Sequence, residues 1–215
     1  MDFNELIKTP GHHELTIQGP AGNMEVVVSI PENCQEDWVA LVAHPHPLQE
    51  GTMNNKVVTT TGRQLLILQI PVIRFNFRGV GASAGEFDHG IGETEDLLHI
   101  IRLWQHAFPN ARWILAGFSF GSFVAFRAAQ IIKPDYLLLI APPVHRFTYE
   151  LAQDVFAPTV IFQGSDDEVV PAEEVAEFAK RFNPDVAVEW FPETGHFFHG
   201  KLLDLKAAIN KWIKL

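Results

Sequence analysis

Residues 113–130 read WILAGFSFGSFVAFRAAQ, an apolar run that passes through Gly117-Phe118-Ser119-Phe120-Gly121 into a segment of helical periodicity. A GxSxG pentapeptide where a strand meets a helix describes a sharp turn that strains the serine backbone and holds its hydroxyl clear of its neighbours. The glycines two residues to either side have a steric cause, because a Cβ there would clash. At the N-terminus of a helix, backbone N–H groups and the helix dipole favour developing negative charge. Ser119 is therefore the candidate nucleophile, and the strand-turn-helix unit around it is the seed of the fold.

Working outward, β-branched and aromatic runs predict strands at Val26 to Ile30, Trp38 to Ala43, Val72 to Phe77, Arg112 to Ala116, Tyr136 to Ile140, Thr159 to Phe162 and Val186 to Trp190. Helical periodicity falls between them, at Lys56 to Leu68, Glu93 to His106, Gly121 to Ile132, Ala172 to Phe182 and Leu202 to Ile213. That alternation implies right-handed βαβ crossovers and an α/β fold, a doubly wound, mostly parallel sheet covered on both faces. The first two strands are joined by the short connection Pro31 to Asp37, which suits an antiparallel pair, and Glu14 to Gln18 offers a further strand. An antiparallel N-terminal edge is expected. No repeat, low-complexity tract or long linker divides the chain, so residues 1–215 read as one domain. Only about eighteen residues separate Ile140 from Thr159, too few for a large cap, which leaves a site at the C-terminal edge of the sheet open.

The composition, 47% hydrophobic and 20% charged over 215 residues, is that of a folded globular chain. Its 16 Lys and Arg against 26 Asp and Glu give a formal charge of -10, which repels nucleic-acid backbones and anionic membrane surfaces. The single cysteine, Cys34, can neither close an intrachain disulfide nor build a thiolate metal site. The N-terminus carries no signal-peptide pattern, and the apolar run from Trp113 to Phe126 falls short of the roughly 20 residues of a spanning helix. These features point to a cytoplasmic protein with no membrane or nucleic-acid partner; a small-molecule ester substrate is expected from the catalytic motifs below.

A serine hydroxyl needs a base to remove its proton, and the base needs a group to orient it. Both can follow later strands, in the order serine, acid, histidine. After TVIFQ comes Gly164-Ser165-Asp166-Asp167-Glu168-Val169-Val170-Pro171, and after VAVEW comes Glu193-Thr194-Gly195-His196. Asp167 and Asp166 compete for the acid, with Asp167 preferred, and spacing alone does not separate them. His196 is the preferred base, with His199 as the rival three residues later. An oxyanion hole needs two N–H donors, one from the residue after the nucleophile and one from a loop after an early strand. Phe120 supplies the first. In His44-Pro45-His46-Pro47-Leu48-Gln49-Glu50-Gly51 the prolines cannot donate, so Leu48 is the first choice for the second donor and His46 the alternative.

Other readings compete with a serine hydrolase. Gly79 to Ala84 satisfies GxGxxA, yet GEFDHGIGE follows as loop where a dinucleotide site needs a helix to open. His44-Pro45-His46 resembles the HxH of some zinc hydrolases, but the Asp-His pair that accompanies it is missing, so no metal or other cofactor is expected. A non-catalytic binding protein on the same fold would normally have lost one of Ser, Asp or His. A peptidase could use the same three residues, without a cap to select peptide length.

The segments HPHPLQEGTMNNKVV (44–58), RFNFRGVGASAGEFDHGIGE (74–93), LAGFSFGS (115–122), IAPPV (140–144), QGSDDEVVP (163–171) and GHFFHGKL (195–202) together resemble the small capless α/β-hydrolases that carry an HPHP loop. The resemblance spans most of the chain from the second strand to the last helix. It implies serine hydrolase or carboxylesterase activity through an acyl-enzyme, with the acid on Asp167, the base on His196 and RGVGAS as a structural turn. Glu50 departs from the pattern, which has a second glycine before Gly51.

Overall fold

A computed structural model describes residues 8–35, 37–149, 157–182 and 186–215. In chain order the elements are β1 (Gly11–Gly19), β2 (Gly22–Ile30), β3 (Trp38–Ala43), α1 (Lys56–Ile67), β4 (Val72–Phe75), α2 (Ile91–Ala107), β5 (Arg112–Phe118), α3 (Phe120–Ile132), β6 (Tyr136–Ile140), β7 (Thr159–Gly164), α4 (Ala172–Phe182), β8 (Ala187–Phe191) and α5 (Leu202–Trp212). All eight strands join one sheet in the order β1-β2-β4-β3-β5-β6-β7-β8. From β4 to β8 every pairing is parallel, while β2 runs antiparallel to both β1 and β4.

The antiparallel edge is present, but its pairing differs from the sequence expectation. β2 does not pair with β3 across Pro31 to Asp37. It pairs with β1 over its full length, from Gly11 opposite Ile30 to Gly19 opposite Gly22, and β4 lies between β2 and β3. β1 has a clear reason to be an edge: its residues alternate between exposed and half-buried, so one face meets solvent while Leu15 and Ile17 pack on the core.

Central strands are apolar on both sides because helices cover both faces. In β3 every residue is buried. Val39, Leu41 and Ala43 belong to one core with Leu97 and Ile101 of α2, Val124 of α3 and Phe178 of α4. Trp38, Ala40 and Val42 belong to the other, with Val57 and Leu65 of α1 and Leu205 and Ile209 of α5. The period of two along the strand thus divides its side chains between the two cores.

Among the described residues no helix is long and apolar enough to cross a membrane. The segment after β6 is short, as its length requires. Residues 141–149 are turns, and 150–156, the rest of that expected short segment, lie outside the described residues. Among the described residues no helix or strand stands between β6 and β7, and the loops after β3, β5, β7 and β8 carry His46, Ser119, Asp167 and His196.

Candidate active site

Ser119 sits alone between β5 and α3 with φ 53 and ψ -123. A non-glycine residue pays for such a conformation, and here the surroundings enforce it. Its N–H donates to Ile140 O at 2.8 Å, and its carbonyl accepts from Ser122 Oγ at 2.6 Å. Ser122 Oγ also shares a 2.9 Å hydrogen bond with Tyr149 OH, tying the elbow to the segment after β6. A Cβ on Gly117 would strike the Gly121 carbonyl, and one on Gly121 would strike the carbonyl oxygens of Ala43 and His44. The two glycines thus let the strand fold back on its helix and let the HPHP loop lie against it.

His196 Nε2 is 3.1 Å from Ser119 Oγ, and its Nδ1 is 2.9 Å from Asp167 Oδ2. Asp167 is positioned by its own turn, with Oδ1 accepting from the N–H groups of Val169 at 2.9 Å and Val170 at 2.7 Å. Burial alone would raise the pKa of Asp167, but the hydrogen bond and charge of His196 and the two backbone donors outweigh it and hold the carboxyl below its ordinary value. The Asp167 side chain is 0% exposed, so this carboxylate has no solvent to fall back on. Its rival Asp166 is exposed and accepts from Ser165 Oγ at 2.6 Å, while its backbone N–H reaches Thr194 O. His199 is likewise exposed, its ring 6.0 Å from that of Phe197. The structure brings together Ser119, His196 and Asp167 and leaves Asp166 and His199 outside.

Two neighbours of this chain were not singled out by the sequence reading. Glu168 Oε2 accepts the His196 N–H at 3.1 Å, and Gln163 Nε2 donates to Asp167 Oδ2 at 3.1 Å. Both lie within QGSDDEVVP, whose pattern marks the acid but gives no sign of which neighbours fold back on it.

The oxyanion loop corrects one expectation. The Leu48 N–H donates to His46 Nδ1 at 3.2 Å, because His46 caps the 3₁₀ turn Pro47–Gln49, and the Leu48 side chain is 73% exposed. Leu48 is therefore committed within the loop. Among the described residues the His46 N–H has no hydrogen-bond acceptor, and neither has the Phe120 N–H at the start of α3. The rings of these two residues lie 5.0 Å apart. Partial burial, then the charges of Arg146 and His89, lower the pKa of His46 and favour the neutral ring that can accept from Leu48.

Glu50 ends the same turn at φ 57 and ψ 21, in the left-handed region. That is the conformation glycine adopts freely, at a cost of roughly 1–2 kcal/mol to other residues, and it explains the glycine of the related pattern. His44 anchors the loop from below. It is fully buried, its Nδ1 donates to Pro45 O at 2.7 Å and its Nε2 accepts the Phe77 N–H at 2.9 Å. Burial, against the opposing Pro45 hydrogen bond, lowers its pKa to about 3. With both ring nitrogens taken, His44 is scaffold, and among the described residues no group of three His, Cys, Asp or Glu is placed to hold a metal ion.

The RGVGAS segment is a turn, since the next helix starts only at Ile91. Arg78 grips Asp96 of that helix through two hydrogen bonds of 2.8 and 2.9 Å, and Glu93 receives the N–H groups of Asp88 and Gly90. This clamps the loop under the elbow instead of cradling a phosphate. Around the nucleophile, Phe118 and Phe197 each lie 5.1 Å from the His196 ring, and Phe197 is 42% exposed.

Comparison with known proteins gives this geometry relatives. The model of the dienelactone hydrolase family matches residues 93–212. An uncharacterized protein of Rickettsia prowazekii is 36% identical over 186 residues, which cover 81% of this chain and 78% of that protein. Among solved structures, XC6422 of Xanthomonas campestris, an α/β serine hydrolase without lid, is 39% identical, with a TM-score of 0.89 over 96% of this chain and 97% of its own. An α/β serine hydrolase homologue from Coxiella burnetii is 38% identical, with a TM-score of 0.91 over 96% of this chain and 99% of its own.

Proposed function

The chain belongs to the dienelactone hydrolase family of α/β hydrolases, and from that premise we propose that it cleaves small carboxylic esters through an acyl-enzyme intermediate. The observation that carries the proposal is the unbroken hydrogen-bonded chain from Ser119 Oγ through His196 to Asp167, set on a strained turn at a helix N-terminus.

Ser119 Oγ attacks the ester carbonyl as His196 Nε2 takes its proton. Asp167 accepts the His196 Nδ1–H, keeping the ring in the tautomer whose Nε2 lone pair faces the serine, and stabilises the imidazolium that forms. The carbonyl oxygen gains charge in the tetrahedral intermediate, where the unengaged N–H groups of Phe120 and His46 are its donors. The intermediate collapses as His196 delivers the proton to the leaving alcohol. A water molecule, deprotonated by the same nitrogen, then attacks the acyl group and regenerates Ser119. The uncapped edge suits a small, freely diffusing ester better than a peptide, which needs walls to hold its length.

Acid quenching during turnover of p-nitrophenyl acetate is expected to trap the acetyl group on the peptide that carries Ser119. Folded protein that turns over no short-chain ester would overturn the proposal.

A further inference from the structure

Gln163 lies near the end of β7 with its side chain fully buried. Its Nε2 donates to Asp167 Oδ2 at 3.1 Å, with longer contacts of 3.2 Å to Gly164 O and 3.4 Å to Val170 O. Its Oε1 is also buried, and among the described residues it has no hydrogen-bond donor. A buried acceptor without a donor is costly, and native folds keep few of them. Turning the amide over would free Nε2 to search elsewhere, but it would set Oε1 against a carboxylate oxygen, acceptor facing acceptor. The carboxylate therefore dictates the direction of the amide, and the orphaned oxygen is the consequence.

Asp167 has four donors. Oδ1 takes the Val169 and Val170 N–H groups, Oδ2 takes Gln163, and His196 Nδ1 lies 3.1 Å from one oxygen and 2.9 Å from the other. The backbone donors fix one oxygen. Without Gln163, the oxygen nearer His196 would have the imidazole as its sole partner.

We propose that Gln163 is a positioning residue for the reaction, its amide holding Asp167 as an anion with Oδ2 aimed at His196 Nδ1. It touches neither substrate nor the reacting atoms and acts through Asp167. The inference rests on the reading of Asp167 as the acid that orients His196. The ionisable groups around the pair are His196 itself, Glu168 on the His196 N–H, and His145, which feels the charges of both Asp167 and His196.

Two variants test it with p-nitrophenyl acetate, each first checked for folding by its melting curve. Gln163→Glu keeps the shape but sets a second carboxylate against Asp167. The two carboxylates repel in a dry site, and the added negative charge favours the imidazolium form beside them. The rising limb of kcat/KM against pH is expected to move up by about one unit or more. Gln163→Met keeps the bulk without the donor, and kcat is expected to fall roughly 10- to 100-fold with KM within about twofold, the size of one hydrogen bond to a charged group. A rising limb at its wild-type place in Gln163→Glu, or wild-type kcat in Gln163→Met, would each reduce Gln163 to a packing residue. Should Gln163→Glu fail to fold, Gln163→Met carries the test, together with the low-field NMR signal of the His196 Nδ1 proton, which should shift. Full activity in Asp167→Asn would instead show that the reading of the acid is at fault, whatever Gln163 does.

Discussion

Asp167→Asn is expected to lower kcat about 10⁴-fold, whereas Asp166→Asn leaves it within about twofold. The two residues are adjacent, so the contrast comes from what each carboxylate touches. Asp166 is exposed and its oxygen partner is the Ser165 hydroxyl, which an asparagine carbonyl can serve equally well. Asp167 is surrounded by donors. In the asparagine variant, the N–H groups of Val169 and Val170 both demand an acceptor at the Oδ1 position, so the amide oxygen must go there. The amide NH₂ then faces His196 Nδ1 and forces that nitrogen to accept. The imidazole proton moves to Nε2, which points at Ser119 Oγ as a donor and can no longer take the serine proton. The loss is one of tautomer, with the fold intact. Steady-state kinetics with p-nitrophenyl acetate on the two variants checks it. Equal losses would mean that the turn as a whole, and not the Asp167 carboxylate, is what matters.

Gly121→Ala is expected to damage both stability and rate. Its Cβ would lie against the carbonyl oxygens of Ala43 and His44, backbone atoms that cannot rotate away as a side chain could. Either α3 or the HPHP loop must retreat. Overpacking of this kind costs about 1–3 kcal/mol or more, which lowers the Tm of a chain of this size by several degrees. The retreat separates the start of α3, with the Phe120 N–H, from the loop that carries the His46 N–H. If these are the oxyanion donors, kcat falls about 10²- to 10³-fold in protein that is still folded. Gly121 lies outside the left-handed region, so the clash and not backbone strain is what the substitution adds. Thermal melting and kcat of the variant measure it. A Gly121→Ala protein with wild-type kcat would place the second oxyanion donor outside this loop.

Local rules carried the reading of the sequence furthest. The GxSxG turn could be placed because glycine at both flanks has a steric cause that five residues contain in full. The parallel sheet followed from the alternation of strand and helix, and the expectation of an uncapped edge from the short connection after β6. Pairing of the antiparallel edge was harder. Val26 to Ile30 and Trp38 to Ala43 are neighbours in sequence, but β4 lies between them, and nothing local in either strand announces that insertion. Leu48 misled for a similar reason. The sequence shows that a loop N–H exists, but the His46 side chain that consumes it has to be seen in three dimensions. Gln163 and Glu168 were invisible for the opposite reason, since their partners lie across turns that the pattern does not describe. Glu50 was visible as a departure, and only its left-handed backbone explained why glycine usually stands there.

The central claim is that Ser119 is a nucleophile activated by His196. The most direct measurement is reaction of the purified protein with a small fluorophosphonate, followed by mass mapping of the modified residue in wild type and in His196→Ala. Labelling of Ser119 alone in wild type, lost in the variant, is the expected result. Folded wild-type protein that stays unlabelled, or a variant that labels at the wild-type rate, would contradict it.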